Sequence, residues 1–380
     1  MKLRWNNYVL NAGSKFKSFW SDYLQEGKRD LLLIIGVGFD PRSIEATAMI
    51  SSVSSAGKKD VIALRYYNNA EESINDYTTN EVRTNIGKLN GLKSEGKLND
   101  VSTKGVIMRS GDDKHIASIN ATKLFSKIEE LAQYDDVVLD ISAMPRGIFI
   151  PLLHKLLSLV DSYNSEGSKS LNLHVVTTEN ASLDSKIQDL GSAEEATFIH
   201  GFTVPEQALT KDQKKVWIPV LGESQTEQFN LIRKSIEPVE TCIVLPFPSQ
   251  DLKRGDLILD EYKDLLFNDS DFEPQNIVYV DESNPFHGYR LLSQTIHRYQ
   301  ESFALLDGCK IIISALSSKI LTLGVFMAVY ESKKGEQNIG IKQVESMSHK
   351  IEEKVVQEVP QMLSENKLIH VWLAGLPYIE

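Results

Sequence analysis

Short hydrophobic runs alternate with longer amphipathic segments along the chain. In the first half, the apolar runs predict strands at Leu31–Gly36, Asp60–Arg65, Gly105–Arg109, Asp136–Ile141 and Leu171–Val176. The segments between them predict helices at Ser43–Ser54, Glu72–Leu92, Ser118–Ala132 and Gly147–Asp161. Strand runs that are apolar at consecutive positions are typical of strands buried on both faces. The pattern therefore predicts βα units around a mostly parallel sheet.

A polar segment at Lys211–Lys215 interrupts this pattern, which then restarts. The second half predicts strands at Val216–Leu221, Thr241–Leu245, Asn276–Val280, Lys310–Ser314, Ile339–Gln343 and Leu368–Leu373. It predicts helices at Glu227–Ser235, Arg254–Leu266, His287–Leu306 and Lys319–Glu331. A restart of the same strand and helix order indicates a second domain of the same class.

The two halves resemble each other as a diverged internal repeat. Aligning the strand–turn–helix segments places Gly36 opposite Gly222 and Ser142 opposite Ser314. The two offsets are unequal, which indicates different loop lengths, mainly around residues 75–99, for which no counterpart is evident. The predicted fold is α/β, with two tandem Rossmann-like, doubly wound domains and mostly parallel sheets. We expect an N-terminal segment at 1–30, a first domain at 31–208 and a second at 209–380.

Composition is that of a globular chain, with 42% hydrophobic and 24% charged residues among 380. The formal net charge of −11 argues against non-specific binding of duplex DNA through the overall field. The two cysteines, Cys242 and Cys309, adjoin apolar runs and are expected to be buried thiols, which fits a reducing, cytoplasmic setting. No run approaches about 18 apolar residues, so we expect no membrane-spanning helix.

Ligands of open parallel sheets collect at the carboxyl ends of the strands, where helix N-termini favour anions. After the first predicted strand come Gly36, Gly38, Asp40 and Arg42, an arrangement in which the glycines permit close approach and the arginine could reach a phosphate. The segment matches neither the dinucleotide fingerprint nor a P-loop. A well-capped turn with a surface arginine is the alternative.

Two further loops of the first half carry candidate residues. Arg109 leads into a charged loop that contains Asp112 and His115, for which a solvated charge run is the alternative. The segment DISAMPRG, residues 140–147, places Asp140 at a strand end, Ser142 in the turn and Arg146 at the start of a helix. A phosphate-binding loop and an ordinary strand-to-helix turn both fit this segment.

DISAMPRG resembles the ligand loop of the CRISPR-associated Rossmann-fold sensors, the CARF domains. Asp140, Ile141, Ser142, Ala143, Arg146 and Gly147 match that pattern by type, whereas Met144 and Pro145 depart from it. Residues 31–43, LLLIIGVGFDPRS, are similar to the first strand and ligand loop of the same family. Two such units in one chain resemble the SAVED arrangement of anti-phage systems. The resemblance implies recognition of a nucleotide second messenger, such as a cyclic oligonucleotide.

The second half offers a smaller set of candidates. Ser314 and Lys319 keep the hydroxyl and the basic residue of the repeat but lack the acidic one. Arg290 could contact a phosphate, and Phe286 and Tyr289 could stack on a base or pack their helix against the sheet.

The sequence contains no GxSxG, HExxH or Walker motif, so enzymatic activity is left open. No cofactor is indicated. Mg²⁺ would bind only if Asp40, Asp112 and Asp140 converged and a phosphate supplied further oxygens. Some sensors of the CARF family cleave the cyclic ligand that they bind. That resemblance makes Ser142, Arg146, Ser314 and Lys319 the residues to examine for cleavage.

Three functions are compatible with these features. The first is a sensor or regulatory subunit of a bacterial anti-phage defence system, which binds an anionic nucleotide and needs a separate effector protein. The second is an enzyme that cleaves or processes a nucleotide in the same pocket. The third is a scaffold subunit that binds other proteins through exposed apolar residues, such as Phe286 or residues 376–379.

Overall fold

The computed structural model of the protein describes residues 3–74, 79–167, 169–184, 186–189, 192–204, 213–267, 271–335, 338–346, 349–351 and 358–378. The chain divides into two compact units. The larger unit comprises Asn7–Gln188 and His349–Glu380, and the smaller unit comprises Met1–Asn6 and Asp189–Ser348.

The larger unit is built on a seven-stranded sheet. Its strands are β1 (Val9–Ala12), β2 (Leu31–Val37), β3 (Lys59–Tyr67), β4 (Asp100–Ile107), β5 (Asp136–Asp140), β6 (Asn172–Glu179) and β15 (Lys367–Ala374). The strand order is β1-β15-β6-β5-β2-β3-β4. The five strands from β6 to β4 are parallel, and β15 pairs antiparallel with both β6 and β1. Because β2 and β5 are buried along their whole length, the core lies on both faces of the sheet centre.

Helices and short connections complete this unit. The helices are α1 (Ser14–Gln25), α2 (Glu45–Ser52), α3 (Ala70–Ile74), α4 (Asn80–Ser94), α5 (Ala117–Lys123), α6 (Glu129–Ala132), α7 (Arg146–Ser165), α8 (Ala181–Asp184) and α13 (Val359–Met362). A separate two-stranded sheet pairs β7 (Ile187–Asp189) with β14 (His349–Ile351), where the chain passes between the units. The N-terminal half of α7 is almost wholly apolar and buried, as expected for a helix enclosed by its own unit.

The smaller unit has a six-stranded sheet. Its strands are β8 (Ser192–Phe198), β9 (Lys214–Leu221), β10 (Glu240–Pro246), β11 (Phe272–Val280), β12 (Cys309–Leu316) and β13 (Ile339–Ser346), in the order β11-β10-β9-β12-β13-β8. All neighbours are parallel except β8, which pairs antiparallel with β13. The helices are α9 (Thr226–Ile236), α10 (Arg254–Phe267), α11 (Pro285–Phe303) and α12 (Lys319–Lys334).

The predicted fold class and the internal repeat are confirmed by the strand order. The parallel strands run β4-β3-β2-β5-β6 in one unit and β11-β10-β9-β12-β13 in the other, and an antiparallel strand follows β6 and β13. This correspondence pairs β2 with β9 and β5 with β12, as the sequence alignment predicts. The expectation that residues 75–99 have no counterpart is wrong in part, because α4 lies between β3 and β4 as α10 lies between β10 and β11.

The unit boundaries differ from the predicted domains. The strand predicted at Leu368–Leu373 joins the sheet of the larger unit as β15, whereas β8 joins the smaller unit. A strand's own pattern of apolar residues does not specify its partner, which explains the misassignment. The predicted boundary at 208/209 falls outside the described residues. Segment 1–30 is not separate, because β1 and α1 belong to the larger unit.

Some predicted element bounds also change. The helix predicted at Glu72–Leu92 is two helices, α3 and α4, and the intervening residues 75–78 lie outside the described part. The helix predicted at Ser118–Ala132 is broken into α5 and α6. Strand β4 begins at Asp100 rather than Gly105, because an edge strand can be polar at positions that face solvent.

The prediction that both cysteines are buried is confirmed. Both Cys242 and Cys309 are buried free thiols, and burial raises the pKa of each to about 11. Among the residues that the structure describes, no helix has the length and hydrophobicity needed to cross a membrane.

Candidate functional site

Each sheet contains one point at which the strand order reverses. This point lies between β2 and β5 in the larger unit and between β9 and β12 in the smaller unit. Ligands of open parallel sheets bind at the carboxyl ends of strands at such points. Gly36 lies near the end of β2, Asp140 ends β5 and Arg146 begins α7. Ser314 in β12 and Lys319 at the start of α12 hold the corresponding positions in the smaller unit.

The Arg42 guanidinium is buried in ion pairs rather than directed at a ligand. Its Nη2 lies 2.8 Å from Asp40 Oδ2, and its Nη1 lies 2.8 Å from Asp184 Oδ1. Burial by itself lowers the pKa of this guanidinium, but the carboxylates of Asp40 and Asp184 outweigh burial and raise it. Asp40 also accepts a bond from the Arg42 N–H at 2.9 Å, which caps a short 3-10 turn. These contacts argue against the predicted roles of Asp40 and Arg42 in ligand binding.

The loop after β2 is anchored by a residue that sequence reasoning missed. Asn85, on α4, donates from Nδ2 to the carbonyl oxygens of Gly38 at 3.0 Å and Asp40 at 3.1 Å. Its only signal in the sequence is an amide on the same helix face as apolar residues. Gly38 itself remains open, since a Cβ placed there would come no closer than 4.0 Å to Tyr66 Cδ2.

The charged loop after β4 satisfies its own charges. Arg109 Nη1 lies 2.8 Å from Asp113 Oδ1, and Arg109 Nη2 lies 3.0 Å from His115 Nε2. Because a guanidinium can only donate, His115 Nε2 accepts this bond. Asp112 pairs with Lys114, and hydrogen bonding from that lysine lowers the pKa of Asp112 to about 2. These pairs favour the alternative interpretation, in which Arg109 belongs to a solvated charged loop and not to a ligand site.

Ser142 and Ser314 have the same structural role in the two units. Ser142 Oγ accepts a bond from the Thr178 N–H at 2.8 Å, and Ser314 Oγ donates to the Lys342 carbonyl at 2.8 Å. Each serine thereby ties its strand to the next strand of the sheet, and both are fully buried. Asp140 accepts a bond from the Ser142 N–H at 2.8 Å and so shapes the same turn. These hydroxyls and this carboxylate order the loops and are not directed at open space.

The space over Gly36 is filled by side chains of the protein itself. A Cβ at Gly36 would clash with the Tyr66 hydroxyl and would lie 2.8 Å from Met144 Cγ and 3.1 Å from the Ala143 carbonyl. Met144 is buried. The Tyr66 hydroxyl is buried without a hydrogen-bond partner among the described residues, and its pKa is raised by burial and by the charge of Asp140. The reversal point therefore holds an unsatisfied hydroxyl in a closed crevice.

The helices that follow β5 and β12 both begin with a basic residue. Arg146 is the first residue of α7, and Lys319 is the first residue of α12, each half-buried. The two N-termini differ in their caps. Ser318 Oγ accepts a bond from the Leu321 N–H at 3.3 Å, whereas Pro145 provides no side-chain cap to α7. The start of α7 therefore has no side-chain cap, and its Ile148 and Phe149 N–H groups both donate to the Pro145 carbonyl at 3.0 Å.

The candidates on α11 separate into packing and surface residues. Phe286 and Tyr289 are fully buried, and Tyr289 packs edge-on against Trp5 with ring centroids 5.3 Å apart. The proposal that Phe286 is an exposed contact residue is therefore wrong. Arg290 is half-buried and, within the described part of the chain, forms no hydrogen bond or ion pair.

A second residue that sequence reasoning missed, Arg254, lies at the carboxyl ends of the strands of the smaller sheet. Arg254, at the start of α10, donates from Nη2 to Glu223 Oε2 at 2.7 Å and from Nη1 to Glu282. Glu223 follows β9 and Glu282 follows β11, so that one guanidinium joins two loops. Two carboxylates around one cation give this cluster of three side chains a net negative charge, which disfavours an anion beside it.

The three carboxylates considered for Mg²⁺ are engaged separately. Asp40 pairs with Arg42, Asp112 with Lys114, and Asp140 with the Ser142 N–H. In the described ranges, no group of three or more histidine, cysteine, aspartate or glutamate residues is arranged to hold a metal ion.

Comparisons with known proteins add little to this picture. No family model matches the chain, and a search of curated proteins finds no match. Among solved structures, a universal stress protein from Archaeoglobus fulgidus DSM 4304 matches with 9% sequence identity and a TM-score of 0.22. The match covers 82% of this chain and 94% of that chain.

Proposed function

We propose that the larger unit binds a small anionic nucleotide at the reversal point between β2 and β5. The observation that carries this proposal is the start of α7, where a 20-residue helix begins with Arg146 and has no side-chain cap. The first turn of a helix, at the positive end of the helix dipole, favours an anion. A guanidinium at the same place adds a bidentate donor for a phosphate.

The Tyr66 hydroxyl supports the same site. A buried hydroxyl without a partner is unfavourable, and a ligand oxygen would relieve it. Gly38 leaves room for close approach of a ligand to the backbone.

The closed crevice favours a sensor over a simple carrier. Met144 and Tyr66 occupy the space over Gly36, so a ligand that reaches the glycine must displace Met144. Met144 lies in the turn that leads into α7, and its displacement would move that helix start. Binding would thereby be coupled to a change in shape, which is what a sensor requires.

The biological setting that we propose is a bacterial anti-phage defence system, in which the protein is a sensor or regulatory subunit. This part rests on the resemblance of residues 31–43 and 140–147 to CARF and SAVED proteins. A nucleotide second messenger would be the ligand, and a separate effector protein would carry out the response. Cleavage of the bound nucleotide remains the alternative activity in the same crevice.

Thermal unfolding of the full chain against a panel of cyclic and linear nucleotides, with and without Mg²⁺, tests this function. A ligand at 100 times its Kd should stabilise the folded state by about 2.7 kcal/mol. Arg146→Gln should reduce the shift strongly, whereas Arg290→Gln, in the other unit, should preserve it. Chromatography of the same samples would reveal cleavage products if the protein is an enzyme. Absence of a shift with every nucleotide would overturn the proposal.

A further inference from the structure

The edge strand β11 of the smaller unit borders an open groove. β11 ends the strand order and pairs with β10. The groove, of about 380 Å³, lies between β11 and α11. Its walls are formed by residues of the strand, including Asn276 and Val278, and by residues of the helix, including Leu291 and Arg298. A groove between an edge strand and a helix is a geometry in which proteins bind extended peptides.

The outer edge of β11 presents free backbone groups. The Val280 carbonyl accepts a bond from the Phe247 N–H beyond the end of β10, so Val280 faces the sheet. In a strand, the N–H and C=O of one residue point to the same side, and successive residues point to opposite sides. The backbone groups of Ile277 and Tyr279 therefore face away from β10. Within the described ranges, these groups have no strand partner. They form a template for one more strand.

The other sheet edges are protected in ways that β11 is not. Charged side chains on an edge strand, or a very short edge strand, prevent unwanted pairing. β4 carries Asp100 and Lys104, β8 carries Glu194 and Glu195, and β1 has only four residues. β11 has Glu273 and Pro274 at its start, but the stretch 275–280, QNIVYV, carries no charge.

Exposed apolar side chains lie along the unprotected part of β11. Tyr279 is 47% exposed, and Phe247, at 49%, packs edge-on against it with ring centroids 6.1 Å apart. An uncharged, β-branched edge beside exposed aromatic rings would promote aggregation unless a partner covers it. This combination distinguishes β11 from a merely solvated edge.

The charge of the groove specifies the kind of partner. Arg298 is the only charged residue among those that line the groove, and it is exposed and, within the described chain, without an ion pair. An occupant with an acidic side chain at that place would complement it. A second copy of β11 lacks an acidic residue between Gln275 and Val280, so the charge favours a different chain.

We propose that the groove between β11 and α11 binds an extended segment of a partner protein as an added strand. The segment has apolar side chains at alternate positions and an acidic side chain opposite Arg298. Its backbone pairs with Ile277 and Tyr279, which supplies affinity independent of sequence, and the acidic side chain fixes the register. The site lies in the smaller unit and does not depend on nucleotide binding by the larger one.

Fluorescence polarisation of labelled eight-residue peptides with the full-length protein tests this proposal. The probes alternate threonine and valine and carry one aspartate, or one lysine, scanned along the peptide. We expect one position at which aspartate binds roughly fivefold more tightly than lysine, the scale of an exposed ion pair. Arg298→Glu should reverse this preference, and Arg290→Glu, on the same helix outside the groove, should leave it unchanged.

A second pair of measurements separates strand addition from simple apolar contact. One set of peptides is N-methylated at the odd positions and a second set at the even positions. One set should lose binding and the other should keep it, because only alternate amides face β11. This test does not require any change to the protein. Failure of every peptide to bind at roughly 1 mM, or a preference unaffected by Arg298→Glu, would overturn the proposal. A dimer by sedimentation that Ile277→Pro dissociates would also overturn it, because a second copy would then be the occupant.

Discussion

His174 Nδ1 and His370 Nε2 lie 2.9 Å apart in the core of the larger unit, and neither residue has any exposed surface. Asn11 Nδ2 lies 3.1 Å from His370 Nδ1, and His174 Nε2 lies 3.1 Å from Asp136 Oδ1. An amide nitrogen only donates and a carboxylate only accepts. Asn11 therefore donates to His370, His370 donates to His174, and His174 donates to Asp136. The chain of bonds joins β1, β15, β6 and β5 with both imidazoles neutral.

We expect the stability of the larger unit to fall as the pH drops below about 6.5. Burial lowers the pKa of His174, and burial together with the neighbouring His174 lowers the pKa of His370 further. When the pKa of a base is lower in the folded state, the unfolded chain binds more protons in acid, and protonation favours unfolding. Each histidine should reduce the free energy of unfolding by about 1.4 kcal/mol per pH unit between its two pKa values.

Urea unfolding between roughly pH 7.5 and 5.5 measures this slope. His370→Asn should make the pH dependence of the free energy of unfolding shallower, by at least the contribution of one histidine. His297→Asn, on α11 of the smaller unit, is the control for the loss of an imidazole outside this pair. An identical slope in His370→Asn and the unaltered protein would contradict the assignment to this pair.

Arg42 and Arg146 should respond in opposite ways to replacement. Arg42→Ala leaves Asp40 buried without its cation and should destabilise the fold by about 3 kcal/mol, the lower range for breaking a buried ion pair. Arg146→Ala should change stability by less than about 1 kcal/mol but weaken nucleotide binding by about 1.5–3 kcal/mol. Denaturant unfolding and calorimetry separate the two effects. A ligand-binding defect in a stably folded Arg42 variant would reverse our assignment.

Gly36 and Gly38 form a matched pair for the closed crevice. Gly36→Ala would drive a methyl group into Tyr66 and Met144 and should destabilise the protein by about 1–3 kcal/mol, as overpacking does. Gly38→Ala finds open space and should be neutral or stabilising by up to about 1 kcal/mol. Thermal unfolding of both variants is the measurement. Equal stability would mean that the crevice opens readily in solution.

Tyr66→Phe should preserve or increase stability, by up to about 1 kcal/mol, because it removes a buried hydroxyl that has no partner in the described chain. Tyr262→Phe is the control, since the Tyr262 hydroxyl donates to the Gly222 carbonyl at 2.9 Å and its loss should cost about 1 kcal/mol. Weaker nucleotide binding by Tyr66→Phe, at undiminished stability, would assign the hydroxyl to the ligand. A stability loss as large as that of Tyr262→Phe would indicate a bond within the folded protein instead.

The sequence by itself determined the two parallel sheet cores and their equivalence. Runs such as Leu31–Ile35 are apolar at every position, which only a strand covered on both faces tolerates. The alignment of Ser142 with Ser314 also held, because each turn must join its strand to the next one in the sheet. These features depend on neighbours in the chain, and local patterns encode them.

Only the tertiary structure decided which groups meet across long sequence distances. The sequence shows no partner for Arg42 or Arg254. The fold brings Asp184 from α8 beside Arg42, and Glu223 and Glu282 beside Arg254. The same holds for β15, whose apolar pattern fits any sheet edge and whose pairing with β6 depends on the closing of the whole unit. Apolar periodicity records that a surface is buried, whereas the identity of the partner that buries it is set by contacts that no local pattern contains.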